Sequence, residues 1–161
     1  MYCFTLFIVL LTSLFGNSKE SKSDLYKAKN ISQTNVDSAN YYLNLVNVKD
    51  LEVDDQSLYY FLKGWLAETN FQSVDKGSLK ALVYYLQGLS IAQKQSHKHT
   101  FNKNIGSIFY DYGNSELALE FYTAAELYSP SDNKLGRIFY NKAFAFLELK
   151  KYDKAIESLK K

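Results

Sequence analysis

The stretch FNKNIGSIFYDYGNSELALEFYTAAELYSP at 101–130 limits the possible folds more than any other part of the chain. Its first half carries Phe101, Ile105, Ile108, Phe109 and Tyr112 at helical spacing. Its second half repeats that period with Leu117, Ala118, Phe121, Tyr122 and Ala125. Gly113 and Asn114 stand between the halves and suit a tight turn. Pro130 closes the stretch, since proline lacks the N–H that would continue a helix. Small residues at Gly106, Ala118 and Ala125 oppose large ones at Phe109 and Tyr122, which predicts two antiparallel helices in close backbone contact. The plainer alternative is an ordinary helical hairpin in a mixed bundle.

The pattern recurs. Ala118 has counterparts at Ala81 and Ala155, each 37 residues away (118 − 81 and 155 − 118). Around Ala81 the run Leu79–Leu86 places Tyr85 in the role of Tyr122, and around Ala155 the run Leu149–Leu159 places Leu159 there. The helix before that last run carries Phe139, Ala143 and Phe146. A weaker copy surrounds Asp37–Leu43, with a first helix that reads as short or degenerate.

A hairpin with alternating large and small positions, ending in proline and repeated along the chain, resembles the tetratricopeptide repeat. Ile105, Gly106, Phe109, Ala118, Tyr122, Ala125 and Pro130 carry the resemblance. The tryptophan of that signature is missing, with Asn102 in its place, and the period of 37 exceeds the usual ~34 by residues assigned to turns. The fold class this implies is all-α, an α-α superhelix (solenoid) of about 3 to 4 repeats.

Composition agrees with a mostly helical chain. Aromatic residues make up 16% of the sequence, which excludes a wholly disordered chain, and one proline with seven glycines leaves little for long loops. Net charge is +2, with lysines scattered among acids and Arg137 the lone arginine, which argues against nucleic acid as the partner of this segment.

Residues 1–18 form an apolar run too short to span a bilayer comfortably and read as a secretory signal peptide. Gly16 and Ser18 suit signal peptidase, so cleavage is expected after Ser18, although no lysine or arginine precedes the run. The alternatives are an uncleaved membrane anchor or a buried first helix. Cleavage would remove Cys3, leaving no thiol for disulfides, catalysis or zinc. The repeat domain then occupies 19–161 and is expected to be incomplete at its C-terminus, because Lys161 falls within the second helix of its repeat.

Taken in order, Lys19–Ser23 reads as a frayed linker, Asp24–Lys29 as the start of a helix interrupted at Asn30–Asn35, and Val36–Val46 as a second helix. Asp54 or Asp55 is expected to cap a helix over Gln56–Thr69. A turn at Asn70–Lys76 leads to a helix over Gly77–Lys94. Gln95–Thr100, with His97 and His99, reads as a solvated turn between repeats, and no third ligand nearby supports a metal. Ser131 and Asp132 should cap a helix over Leu135–Leu149, and Lys151–Lys161 should form the last.

No Gly-rich phosphate loop, paired carboxylate or activated nucleophile is legible, so no enzymatic activity, cofactor or metal is expected. The resemblance instead implies a groove lined by the first helix of each hairpin, taking a peptide or helix of a partner protein. By that resemblance its lining is Lys103, Asn104, Ser107, Tyr110 and Asp111, followed by Arg137, Tyr140, Asn141, Phe144 and Glu148. Some family members grip a peptide carboxylate with lysine, asparagine and arginine. Here the preceding repeat offers Phe61, Leu62 and Trp65, so that clamp is incomplete. The expectation is an exported periplasmic or extracellular interaction or sensor scaffold, resembling the amino-terminal part of bacterial membrane-bound regulators. Membrane contact is expected only through an uncleaved 1–18 or a missing downstream segment. The rival is a structural repeat protein, cytosolic-side or anchored through 1–18.

Overall fold

The computed structural model describes residues 18–69 and 74–161. Among these the chain forms eight α-helices, one short 3₁₀ turn and no strand, as an all-α protein should. The helices are α1 (18–31), α2 (Val36–Leu45), α3 (Val53–Thr69), α4 (Val74–Ile91), α5 (Gln95–Asp111), α6 (Ser115–Leu127), α7 (Asp132–Glu148) and α8 (Tyr152–Leu159). The chain divides after Ala81 into two compact units. The predicted signal segment lies outside the described residues except for Ser18, as does most of the predicted turn at 70–76.

The first unit is built around Leu25 and Ala28 of α1, Ala39 and Leu43 of α2, and Leu62 and Leu66 of α3, all buried together. Two features differ from the sequence-based expectation. Lys19–Ser23 is helix and not linker, and the first helix of this weak copy is a full one. The reason is an inward face that begins at Ser21, whose buried hydroxyl accepts a hydrogen bond from the Asn47 N–H at 3.2 Å. Helix α3 likewise starts at Val53, so Asp55 lies inside its first turn and is not a cap. Asp55 is buried, and its carboxylate accepts from the Tyr26 hydroxyl at 3.1 Å and pairs with Lys22 at 3.0 Å. Partners on α1 have recruited a residue that local rules assign to a helix end.

The second unit repeats. Helices α5 and α7 begin and end 37 residues apart (132 − 95 and 148 − 111), and α6 and α8 begin 37 apart (152 − 115). The turns match atom for atom. After α5 the Gly113 N–H donates to the Tyr110 carbonyl and the Asn114 N–H to the Phe109 carbonyl, both at 2.9 Å. After α7 the Lys150 N–H donates to Leu147 at 2.9 Å and the Lys151 N–H to Phe146 at 2.8 Å. This paired closure needs a left-handed residue at the turn. Gly113 supplies φ +76 and Lys150 supplies φ +57. Ala118 and Ala155 are both buried at the helix contacts these turns create, and Ala81 on α4 is buried too.

Within the α5–α6 pair the Phe109 and Phe121 rings stack 5.5 Å apart, and Tyr122 lies flat against Gly106. The Asn114 side chain caps α6 by accepting from the Leu117 N–H at 3.1 Å, an interaction worth ~1 kcal/mol. Several expected boundaries move. Helix α4 covers Val74–Ile91, α7 begins at Asp132 after an N-cap at Ser131, and α8 stops at Leu159. Helix α5 begins at Gln95, so Gln95–Thr100 is helix and His99 is buried, with Nδ1 2.9 Å from the Ala125 carbonyl oxygen. Asn102, in the tryptophan position, is buried as well, and its amide donates to the Lys98 carbonyl at 2.8 Å. Two residues expected to pack inward do not: Tyr112 is exposed, and Leu159 is 58% exposed, with none of the described helices over the face of α8 that corresponds to the one α7 covers on α6.

Candidate functional site: the groove between α5 and α7

Helix α6 packs on both α5 and α7, with Tyr122 and Ala125 buried beside Ile138 and Ala145. A salt bridge from Lys142 to Glu126 at 2.7 Å, largely sheltered on the lysine side, braces α7 against α6. Helices α5 and α7 are thereby held side by side, and their remaining faces bound two adjoining recesses.

The larger recess, of about 600 Å³, is lined by Lys103 and Ser107 of α5 and by Asn133, Gly136, Arg137, Tyr140 and Asn141 of α7. The smaller, of about 240 Å³, is lined by Tyr110, Tyr122, Tyr140, Asn141 and Phe144. Tyr140 and Asn141 belong to both, so the two recesses form one groove. Of the residues expected there from sequence, Lys103, Ser107, Tyr110, Arg137, Tyr140, Asn141 and Phe144 all meet in it. Asn104, Asp111 and Glu148, also expected there, line neither recess, and Asn104 is half-buried on α5.

Three lining residues escaped the sequence. The sequence pattern assigns Tyr122 to packing alone. Its ring is buried, but its hydroxyl donates to Ser107 Oγ at 3.3 Å and so reaches the groove floor. Ser107 in turn donates to the Lys103 carbonyl at 3.1 Å, which fixes its rotamer. Gly136 lines the recess because it has no side chain, and a Cβ there would meet nothing within 4 Å. Asn133 lies one turn before Arg137 on the same α7 face, a spacing that could have flagged it.

The middle of the groove is apolar and open. Tyr140 and Phe144 sit one helical turn apart with ring centroids 4.7 Å apart, and both are exposed, Tyr140 by 56%. Lys103 and Arg137 stand at one end. At the other, burial raises the Tyr110 hydroxyl above the usual phenol range, and the nearby Glu148 and Asp111 carboxylates push it the same way. Burial also holds the Asp111 carboxyl above its ordinary value.

Such a groove offers hydrogen bonding, ring contacts and charge. Among the described residues no cluster of three or more His, Cys, Asp or Glu side chains could hold a metal ion. Among the same residues no helix is long and apolar enough to cross a membrane. Comparison of the sequence with models of known protein families and with curated proteins finds no match.

Proposed function

We propose that this chain is a tetratricopeptide-like repeat protein with no enzymatic role, and that the α5–α7 groove holds an extended segment of a partner protein. The segment carries aromatic or aliphatic anchors and some acidic charge. The observation that carries this reading is the meeting of Tyr140 and Phe144 with Tyr110, Lys103 and Arg137 in one groove. Aromatic anchors supply most of the energy of such contacts, while charges at the rim act on association rate and salt dependence. The 37-residue recurrence of helices, turns and buried alanines supports the repeat reading. The apolar run at 1–18 supports placing the protein in an exported compartment, as an interaction or sensor scaffold and an input module for signal transduction.

The test is capture of a partner followed by titration of two variants. Tyr140→Ala should weaken binding by more than about 1 kcal/mol without shifting the urea midpoint of the free protein. Lys103→Ala should slow association, with the effect fading at high salt. If Tyr140→Ala binds like the parent while Glu120→Lys on the far side of α6 abolishes binding, the groove is not the working surface.

A further inference from the structure

The walls of the groove are the helices α5 and α7, whose backbone N–H and C=O groups bond within each helix. A sheet edge pairs with the amides of a bound segment one by one, whereas a helical wall leaves that task to side chains. The side chains here are lopsided. Lys103 and Arg137 only donate. Asn141, which borders both recesses, and the hydroxyls of Tyr110 and Tyr140 can donate. Burial holds the Tyr110 hydroxyl above the usual phenol range, so it stays protonated at neutral pH. Ser107 Oγ is already engaged, accepting from Tyr122 and donating to the Lys103 carbonyl. No Asp or Glu among the described residues lines either recess. The groove is thus rich in donors and poor in acceptors. An ordinary segment laid into it would shut its N–H groups away from water with little to receive them, and each orphaned N–H forfeits its hydration.

We infer that the bound segment is proline-rich and lies in the groove as a polyproline II helix, its prolines against Tyr140 and Phe144 and its carbonyls toward Asn141 and the tyrosine hydroxyls. The inference rests on the reading of the groove as a peptide site. Proline has no N–H, so it asks the wall for donors alone. Its fixed φ leaves less conformational entropy to lose on binding. Its ring packs on aromatic faces, as in other aromatic-lined grooves that take such segments. The rings of Tyr140 and Phe144 are inclined by 60° with centroids 4.7 Å apart, and Tyr110 and Tyr122 line the same recess of about 240 Å³. The larger recess continues past Tyr140 to Gly136, where nothing stands within 4 Å of an added Cβ. From Asn133 to Phe144 α7 rises ~16 Å, and polyproline II covers ~3.1 Å per residue, so about five residues fit.

Three acetyl- and amide-capped peptides, titrated into the full chain with amide NMR shifts as readout, make the test. They are Asp-Pro-Pro-Leu-Pro-Pro-Gly, the same peptide with alanine for its four prolines, and the same with N-methylalanine in those places. The proline peptide should give saturable shifts at Tyr140, Asn141 and Phe144 that Tyr140→Ala abolishes. The alanine peptide should bind at least about fivefold more weakly, and N-methylalanine should recover part of that loss because it too lacks the N–H. Asn141→Asp exchanges a donor for an acceptor, so it should weaken the proline peptide about fivefold and the alanine peptide less. An alanine peptide that binds as tightly as the proline one, and is equally lost with Tyr140→Ala, overturns the proline inference and leaves the groove reading standing. N-methylalanine binding more weakly than alanine also overturns it. No saturable shift from the proline peptide at Tyr140 and Phe144 overturns the inference, and if the alanine peptide gives none either, the groove reading falls with it.

Discussion

The ring of Tyr122 fills the space that a side chain at Gly106 would need. A Cβ on Gly106 would stand 2.7 Å from two ring carbons of Tyr122 and 3.2 Å from the Ala118 carbonyl oxygen. Tyr122 is buried and tied to Ser107 through its hydroxyl, so it has little room to retreat. This contact sets how closely α5 and α6 approach, and through α6 it sets where α5 lies relative to α7.

Gly106→Ala should therefore destabilise the protein by about 1–3 kcal/mol, the cost of overpacking, despite alanine's better helix propensity. Gly136→Ala makes the internal comparison. It sits within α7 with nothing within 4 Å of the new Cβ, so it should stabilise by about 0.5–1 kcal/mol. Urea titrations of both variants should move the midpoint in opposite directions. Movement in the same direction would mean the α5–α6 contact is not as close as described.

Lys150 occupies the left-handed position that Gly113 occupies in the preceding turn. A side chain costs ~1 kcal/mol in that conformation, and glycine does not suffer it. Lys150→Gly should raise the urea midpoint by an amount equivalent to about 0.5–1 kcal/mol, after the unfolded-state entropy of glycine is subtracted. Gly113→Ala should lower it by a similar amount. A Lys150→Gly variant less stable than the parent would show that the two turns are not equivalent.

His99 should make stability depend on pH near neutrality. Burial lowers its pKa below the ordinary 6.5; its Nδ1 bond to the Ala125 carbonyl acts the other way, and the Lys134 and Lys103 charges lower it further. The unfolded chain takes up the proton near pH 6.5 while the folded chain resists it, so unfolding binds a proton. The contribution of His99 is therefore complete above the unfolded pKa and is lost as pH falls from there to the folded value. In an imidazole NMR titration the His99 midpoint should lie below 6.5. A midpoint above it would remove His99 as the source of any acid sensitivity.

Export gives a fourth outcome. In protein recovered from an exporting host, amino-terminal sequencing should return Lys19. Cleavage there removes the hydrogen bond from Ser18 Oγ to the Asp50 carbonyl but leaves Ser21 holding the Asn47 N–H. Helix α1 should then remain folded on α2 and α3. A soluble product that still begins with Met1 would sink the signal-peptide reading.

The sequence alone determined the features that depend on period and size. Ala81, Ala118 and Ala155 could be read as contact positions because a helix repeats every 3.6 residues and only small side chains permit close backbones. The groove lining came from the resemblance and not from the period: seven of its ten expected residues line the two recesses, and Asn104, Asp111 and Glu148 do not. Tertiary structure decided what depends on neighbours distant in sequence. His99 looks like a turn residue until the Ala125 carbonyl, 26 residues on, takes its ring. Asp55 looks like a cap until Tyr26 and Lys22 draw it inward. Leu159 looks like a core residue, yet whether an apolar side chain is buried is settled by the element that covers it, and none of the described helices covers that face of α8.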